Sequence, residues 1–292
     1  MCTQDRFAKL ATATFNRRQF AVMSGSAALM ACTATGSGPM SAAATGLVEN
    51  SVLIDTADGT ADAFFVHPAS GKHPGVIFWP DVAGLREAKR MMARRLAEAG
   101  YAVLVVNPYY RDVRGEQFAD FATFRSQEGF AKVKPWRDKL SSTTIMRDAD
   151  ALVRWLDGQE AVDTARPIGT QGYCMGGPFA VFSAAARPDR IGGAASFHGG
   201  GLVRDGVSSP HRLLTRTPET RYLLAIAQND DAENPDHDDI LRRSAREADV
   251  AAEVEVYAAD HGWTVPDSPA YDQAEAERAW SRLQALYRVA LS

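Results

Sequence analysis

The stretch that decides the fold of this chain is Gly172-Tyr173-Cys174-Met175-Gly176-Gly177. Residues 167–173, which lead into it, have the pattern of a buried strand, and residues 178–186, which follow it, have that of a helix. A Gly-x-nucleophile-x-Gly pattern between a strand and a helix is typical of a sharp turn that holds a nucleophile above a sheet. The alternative is a glycine-rich turn with a packing cysteine.

Such a turn would place Cys174 at the amino end of a helix. The helix dipole and the free N–H groups there favour a thiolate and a developing oxyanion. An ordinary cysteine, with a pKa of about 8.5, is only a few per cent ionised near neutrality. A neighbouring base or the helix dipole must therefore raise the thiolate fraction of a cysteine nucleophile at this position.

Predicted strands alternate with predicted helices on both sides of this turn. The first two strands, 52–56 and 61–67, form a hairpin, and residues 111–139 lack clean periodicity and are expected to form a cap or lid. The later strands are 75–79, 101–106, 167–173, 193–197, 222–227 and 252–257, and the helices are 86–99, 143–156, 178–186, 238–248 and 271–290. This alternation predicts an α/β fold with a mostly parallel sheet flanked by helices on both faces.

The helix predicted over residues 86–99 has an apolar side. Met91, Met92, Leu96 and Ala99 lie on it and are expected to face the core. Gly100 follows and is expected to end the helix.

The composition limits the possible partners. The 292 residues are 46% hydrophobic and 23% charged, which suits one globular domain, predicted here over residues 46–292. A net charge of −4 without a long basic run argues against nucleic acid, and no apolar run after the N-terminus is long enough to span a bilayer. The three cysteines exclude a zinc site of cysteine pairs, and the six histidines lack metal-site spacing, so neither a metal nor a cofactor is predicted.

The first 45 residues have the features of an export signal. The pair Arg17-Arg18 precedes a short apolar stretch, residues 21–34, and an Ala-x-Ala site over residues 42–44. This pattern predicts a twin-arginine signal and a periplasmic protein. Cleavage after residue 44 would release a soluble protein, whereas residues 29–32 resemble a lipobox that would put a lipid anchor on Cys32.

A base and an acid follow the turn in the chain order nucleophile, acid, histidine. His261 comes shortly after the strand 252–257, and Asp230 and Asp231 come shortly after the strand 222–227. The carboxyl ends of parallel strands are where sites of α/β proteins lie. His261 is therefore the expected base, and the residues alone leave the choice between Asp230 and Asp231 open.

A second histidine, His198, follows the end of the strand 193–197. It is expected either to line the pocket or to have a structural role in its loop. Asp260 is next to His261 in sequence and is interpreted as a solvated turn residue.

With these residues in place, the chain resembles the dienelactone hydrolase family of the α/β-hydrolase fold over roughly residues 50–290. The segments that carry the resemblance are 172–177, 197–202, 227–230, 257–262 and 265–272. The resemblance implies a hydrolase of carboxylic esters or lactones with Cys174, Asp230 and His261 as its catalytic triad.

The resemblance also implies roles for four further residues. The backbone N–H groups of Val82 and Met175 would form the oxyanion hole. Asp81 would take the place of a family acid, usually Glu, that hydrogen-bonds the resting thiol, and Arg111 would pair with a substrate carboxylate. Members that act on dienelactone have a second arginine shortly after the catalytic histidine, and residues 262–266 contain none. The resemblance thus predicts ester chemistry on a substrate other than dienelactone itself.

Two other functions remain open at this point. The chain would be a non-catalytic periplasmic ligand-binding protein if the fold had been kept without the chemistry. A thiol-transfer role has no CxxC motif to support it. Hydrolysis of a small-molecule ester or lactone through a thioester is the leading hypothesis.

Overall fold

An eight-stranded sheet forms the centre of residues 46–292, which are the residues that the computed structural model describes. Its strands are β1 Leu47–Thr56, β2 Gly59–Pro68, β3 Gly75–Trp79, β4 Ala102–Val106, β5 Ile168–Tyr173, β6 Ile191–Phe197, β7 Arg221–Ala227 and β8 Ala252–Tyr257. They lie in the order β1-β2-β4-β3-β5-β6-β7-β8, and only the β1–β2 and β2–β4 pairs are antiparallel. This confirms the predicted hairpin and the mostly parallel sheet. The predicted export signal and Cys32 lie outside the described residues.

Helices cover both faces of the sheet. They are α1 Glu87–Glu98, α2 Phe121–Ser126, α3 Gly129–Arg137, α4 Ser142–Asp157, α5 Gly177–Ala186, α6 Pro210–Leu213, α7 Gln228–Glu233, α8 His237–Glu247 and α9 Gln273–Ala290. Side chains from α4, α5 and α8 pack into one hydrophobic core, and side chains from α1 and α9 pack into the other. Within residues 46–292, no helix is both long and apolar enough to cross a membrane.

The central strands are buried because each contributes side chains to both hydrophobic cores. All five residues of β3 and of β4 are buried. In β3, Ile77 and Trp79 face the core under α4 and α5, whereas Val76 and Phe78 face the core under α1 and α9. Successive side chains of a strand point to opposite faces, so a strand in this position is apolar at every residue.

The segment predicted as a cap contains the two short helices α2 and α3. Phe121 and Phe124 of α2 and Val133 of α3 pack in a third cluster that also contains Val82, directly after β3. Asp120 caps α2 by accepting a hydrogen bond from the Thr123 N–H at 2.6 Å. The cap is therefore attached to the loop that follows β3.

The inner side of α1 differs from the prediction. Met91 is 45% exposed and Ala99 is exposed, whereas Lys89 is completely buried with Ala93. Lys89 faces inward because its ammonium group pairs with Asp81 at 2.7 Å. An ion pair with a residue outside the helix here overrides the apolar pattern of the helix.

Substitution of Leu104 tests the packing of the central sheet. Leu104 of β4 is 0% exposed, so Leu104→Ala should lower the free energy of unfolding by about 2–5 kcal/mol, through lost burial and a residual cavity. Leu53 of β1 is 60% exposed, so Leu53→Ala, the matched control, should change it by about 0.5 kcal/mol or less. Urea unfolding with an unchanged m-value measures both. Equal effects of the two substitutions would contradict this packing.

Candidate active site

Cys174 occupies a strained turn between β5 and α5. Its φ of 53° lies in the left-handed region, which residues other than glycine rarely adopt. A Cβ at Gly172 would lie 1.8 Å from the carbonyl oxygen of Gly176, and a Cβ at Gly176 would lie 2.6 Å from that of Trp79. Both glycines are therefore required by the close approach of strand and helix. The turn places Cys174 at the amino end of the ten-residue helix α5.

His261 and Asp230 form a hydrogen-bonded pair at the carboxyl ends of the last two strands. Nδ1 of His261 lies 2.6 Å from Oδ2 of Asp230, which belongs to α7, directly after β7. The backbone N–H of His261 donates to Oδ1 of Asn229 at 2.8 Å. With Nδ1 held by a carboxylate, Nε2 is the nitrogen that can exchange a proton. The sequence left the choice between Asp230 and Asp231 open, and the structure places Asp230 against the histidine. Asp260, the neighbour of His261 in sequence, accepts a hydrogen bond from Gln228 at 3.1 Å.

His198 connects the cysteine turn to the loop that carries His261. Its Nδ1 accepts a hydrogen bond from the backbone N–H of Cys174 at 3.1 Å, and its Nε2 lies 3.0 Å from Oγ1 of Thr264. Because Nδ1 is an acceptor, the proton of the ring is on Nε2 and the imidazole is neutral. Burial, together with the neighbouring His261 and Lys89, holds the pKa of His198 well below its ordinary value.

Asp81 belongs to a buried ionic cluster next to the cysteine turn. Arg86 binds it through two hydrogen bonds, of 2.7 and 3.0 Å, and Lys89 Nζ lies 2.7 Å from Oδ2. Arg86 also binds Asp267, of the loop after His261, through two hydrogen bonds of 2.7 Å. Burial by itself raises the pKa of Asp81, but the charges of Arg86 and Lys89 outweigh this effect and hold the pKa well below its usual range. The carboxylate therefore stays ionised.

One small pocket brings four of the eight predicted site residues together. Cys174, His261, His198 and Asp81 all line it. The rest of its wall comes from the cap and from the loop after β8, with Phe121, Gly262, Val265 and Ser268. Residues from five separate parts of the chain thus meet around the cysteine.

The two residues predicted for the oxyanion hole lie on either side of the cysteine turn. Val82 is buried in the loop after β3, and Tyr109 donates its O–H to the Val82 carbonyl at 2.8 Å. Met175 follows Cys174 and packs against the cap cluster that contains Val82. The loop after β3 and the turn are in contact at Gly176. The use of the Val82 and Met175 N–H groups stays a prediction.

Arg111 is not brought to the pocket. Its guanidinium donates to Asp58 at 2.7 and 3.0 Å and to Asp148 at 2.7 and 2.9 Å, and its side chain is 10% exposed. It stands apart from the residues around Cys174 because these two carboxylates hold it beside β1 and α4. Its predicted pairing with a substrate carboxylate receives no support from this position.

Sequence reasoning missed the residues that support the site. Thr264 and Asn229 hold the two histidines, and Arg86 and Lys89 hold Asp81. Arg86 and Lys89 are three residues apart at the start of a helix that follows Asp81. This spacing puts both cations on one side of the helix, and it is the one sequence signal that could have indicated their pairing with Asp81. No group of three or more His, Cys, Asp or Glu residues in the range 46–292 is arranged to hold a metal ion.

The sheet, the strained cysteine turn and the histidine–aspartate pair define a protein of the α/β-hydrolase fold. The family model of the dienelactone hydrolase family matches residues 61–290, and the chain belongs to this family. It is therefore a hydrolase of the ester or lactone type. Its mostly parallel eight-stranded sheet agrees with the α/β-hydrolase fold that the resemblance implies.

Curated relatives and solved structures agree with this assignment. The chain is 28% identical over 250 residues to a putative carboxymethylenebutenolidase of Methylorubrum extorquens, which covers 84% of this chain and 82% of that protein. It is 27% identical over 226 residues to one of Salmonella typhi, covering 76% and 80%. The crystal structure of a putative dienelactone hydrolase from Klebsiella pneumoniae superposes with a TM-score of 0.68 at 22% identity, over 84% of this chain and all of that one. At this identity the superposition shows the fold.

Substitution of His198 tests whether its acceptor nitrogen positions the turn. His198→Phe keeps an aromatic ring but removes the acceptor for the Cys174 N–H, and kcat should fall about 10- to 100-fold as the turn loses its hydrogen bond. In His198→Asn, the matched control, the amide oxygen can replace Nδ1, and most of kcat should return. Steady-state kinetics on an activated ester, with circular dichroism to confirm folding, measures both. Equal losses in the two variants would point to ring packing instead.

Proposed function

We propose that this protein hydrolyses a carboxylic ester or lactone through a thioester on Cys174, with His261 as the base and Asp230 as its partner. One observation carries the proposal: a cysteine in a strained turn lines the same pocket as a histidine whose Nδ1 is held by the carboxylate of Asp230. A nucleophile, a base and a residue that orients the base are the three parts that nucleophilic acyl transfer requires.

In the first step, with Cys174 in its reduced form, Nε2 of His261 takes the proton of the thiol as the sulfur attacks the carbonyl carbon. Asp230 keeps the imidazole in the tautomer whose Nε2 carries no proton and stabilises its charged form. The N–H groups of Met175 and Val82 would stabilise the negative oxygen of the tetrahedral intermediate. The intermediate collapses to a thioester, and the leaving alcohol takes the proton from His261.

In the second step, a water molecule attacks the thioester carbonyl while His261 takes a proton from it. The second tetrahedral intermediate expels the Cys174 sulfur, which receives the proton back from His261, and the carboxylic acid leaves. His198 has no proton-transfer role here because its Nδ1 is occupied by the Cys174 N–H and its proton is directed to Thr264. For a lactone, the alcohol and the acid are two ends of one product.

Replacement of the three triad residues tests this mechanism. Cys174→Ala and His261→Ala should each lower kcat for p-nitrophenyl acetate by at least about 1,000-fold, because such residues act as a unit. Asp230→Asn should cost about 100- to 10,000-fold through the loss of the imidazole orientation. Asp231→Asn, next to it in sequence and in the same helix, is the matched control and should stay within about twofold of wild type.

Two results would contradict the mechanism. Unchanged turnover in Cys174→Ala would exclude the thioester, and an equal loss in Asp231→Asn would exclude the specific role of Asp230. Mass spectrometry of a wild-type reaction stopped with acid should find an acetyl group on Cys174, and it should be absent in His261→Ala. Saturable binding without any turnover would favour the ligand-binding alternative.

We also propose that the protein is exported through its paired arginines. Replacing both Arg17 and Arg18 by Lys should keep the full-length chain in the cytoplasm, because twin-arginine export reads this pair. Fractionation of cells that express both forms measures the effect. Cys32→Ser serves as the control for a lipid anchor, since it should change the location only if Cys32 is lipidated. A periplasmic protein without the arginine pair would refute this export route.

A further inference from the structure

The guanidinium group of Arg86 has no N–H left for a ligand. It donates to Asp81 at 2.7 and 3.0 Å, to Asp267 at 2.7 Å twice, and to the Gly84 carbonyl at 3.3 Å. These bonds account for all five N–H groups of an arginine. Its side chain is also completely buried. The arginine beside the pocket is therefore committed to the protein's own carboxylates.

Lys89, the second cation of this cluster, is not among the described residues that line the pocket. Its ammonium group is completely buried, 2.7 Å from Asp81 and 4.9 Å from the centre of the Tyr173 ring. Burial lowers the pKa of Lys89 to about 8, with Asp81 opposing the effect. Two carboxylates, Asp81 and Asp267, balance the charges of Arg86 and Lys89, so the cluster has no excess positive charge.

The charges that face the pocket are unfavourable to an anion. Asp81 lines the pocket as a carboxylate, and His198 is neutral. Neither Arg nor Lys is among the described residues that line it. A substrate carboxylate would lose its hydration here without gaining a cation of its own, because Asp81 and Asp267 already neutralise Arg86 and Lys89, and this is costly. The side chains of Phe121 and Val265 give the rest of the wall an apolar character.

We infer that the substrate is an uncharged ester or lactone, and that the pocket discriminates against substrates with a carboxylate on the part that enters it. The inference rests on the proposed hydrolysis at Cys174 and adds the class of substrate to it. It separates this chain from what the names of its relatives indicate, since a carboxymethylenebutenolidase is named for a lactone that carries a carboxyl group.

A matched pair of lactones tests the inference on the wild-type protein. Carboxymethylenebutenolide and its methyl ester share the reacting ring and differ in one charge, and their ring opening can be followed by ultraviolet absorbance. After correction for the alkaline hydrolysis rate of each lactone, kcat/KM should be at least about 30-fold higher for the methyl ester at pH 7. Equal or faster turnover of the acid would overturn the inference.

Two charge-neutralising variants locate the origin of the selectivity. Asp267→Asn removes one negative charge next to Arg86 but keeps an oxygen for the Phe121 N–H, which donates to Asp267 at 2.9 Å. The preference for the methyl ester should then fall about tenfold, as the cluster gains a net positive charge. Asp58→Asn makes the same change beside Arg111, away from the pocket, and should leave the preference within about twofold of wild type. A gain in turnover of the acid in Asp58→Asn would identify Arg111 as an anion site and overturn the inference.

A p-nitrophenyl acetate assay on the same preparations distinguishes a failure of the proposed hydrolysis at Cys174 from a failure of the inferred substrate class. Turnover of p-nitrophenyl acetate together with a preference for the acid lactone would overturn only the substrate class. No turnover of p-nitrophenyl acetate or of either lactone would overturn the hydrolase mechanism and the substrate class with it. Because the wild-type comparison stands without the variants, a folding defect in Asp267→Asn would not remove the test.

Discussion

The close approach of β5 and α5 at Cys174 is the constraint on which the site depends. Gly172 and Gly176 lie so near other backbone atoms that neither position has room for a side chain, and Cys174 between them adopts a left-handed conformation. Strain of this kind persists only where the surrounding structure enforces it. Here the wholly buried strand β3 on one side and the buried helix α5 on the other hold the turn, so the sheet positions Cys174.

Two networks extend from this turn to the rest of the site. Through His198, the Cys174 N–H is connected to Thr264, three residues after His261. Through Asp81 and Arg86, the loop after β3 is connected to Asp267, which in turn holds the cap at Phe121. Turn, base loop and cap are thus linked by buried polar groups. Because a buried polar group is costly to leave unpaired, these links fix the parts at defined distances.

Much of the fold follows from local pattern. The wholly apolar run at β3 and the glycines around Cys174 are each readable without the structure. The predicted strands and long helices agree with the structure to within a few residues at most of their ends, because apolar periodicity reflects burial directly. The short helix α7, which carries Asp230, was missed since six residues give no period to detect.

The sequence by itself determined the fold class, the nucleophile candidate and the order of base and acid, because these depend on neighbours in the chain and on where strands end. Only the tertiary structure showed the hydrogen bond between Asp230 and His261, turned Lys89 inward and committed Arg86 and Arg111 to carboxylates of the protein. Each of these outcomes depends on contacts between residues that are separated in the chain, or on the direction in which a side chain points from its helix. Hydrogen bonds and ion pairs act over a few ångströms, and the sequence does not contain those distances.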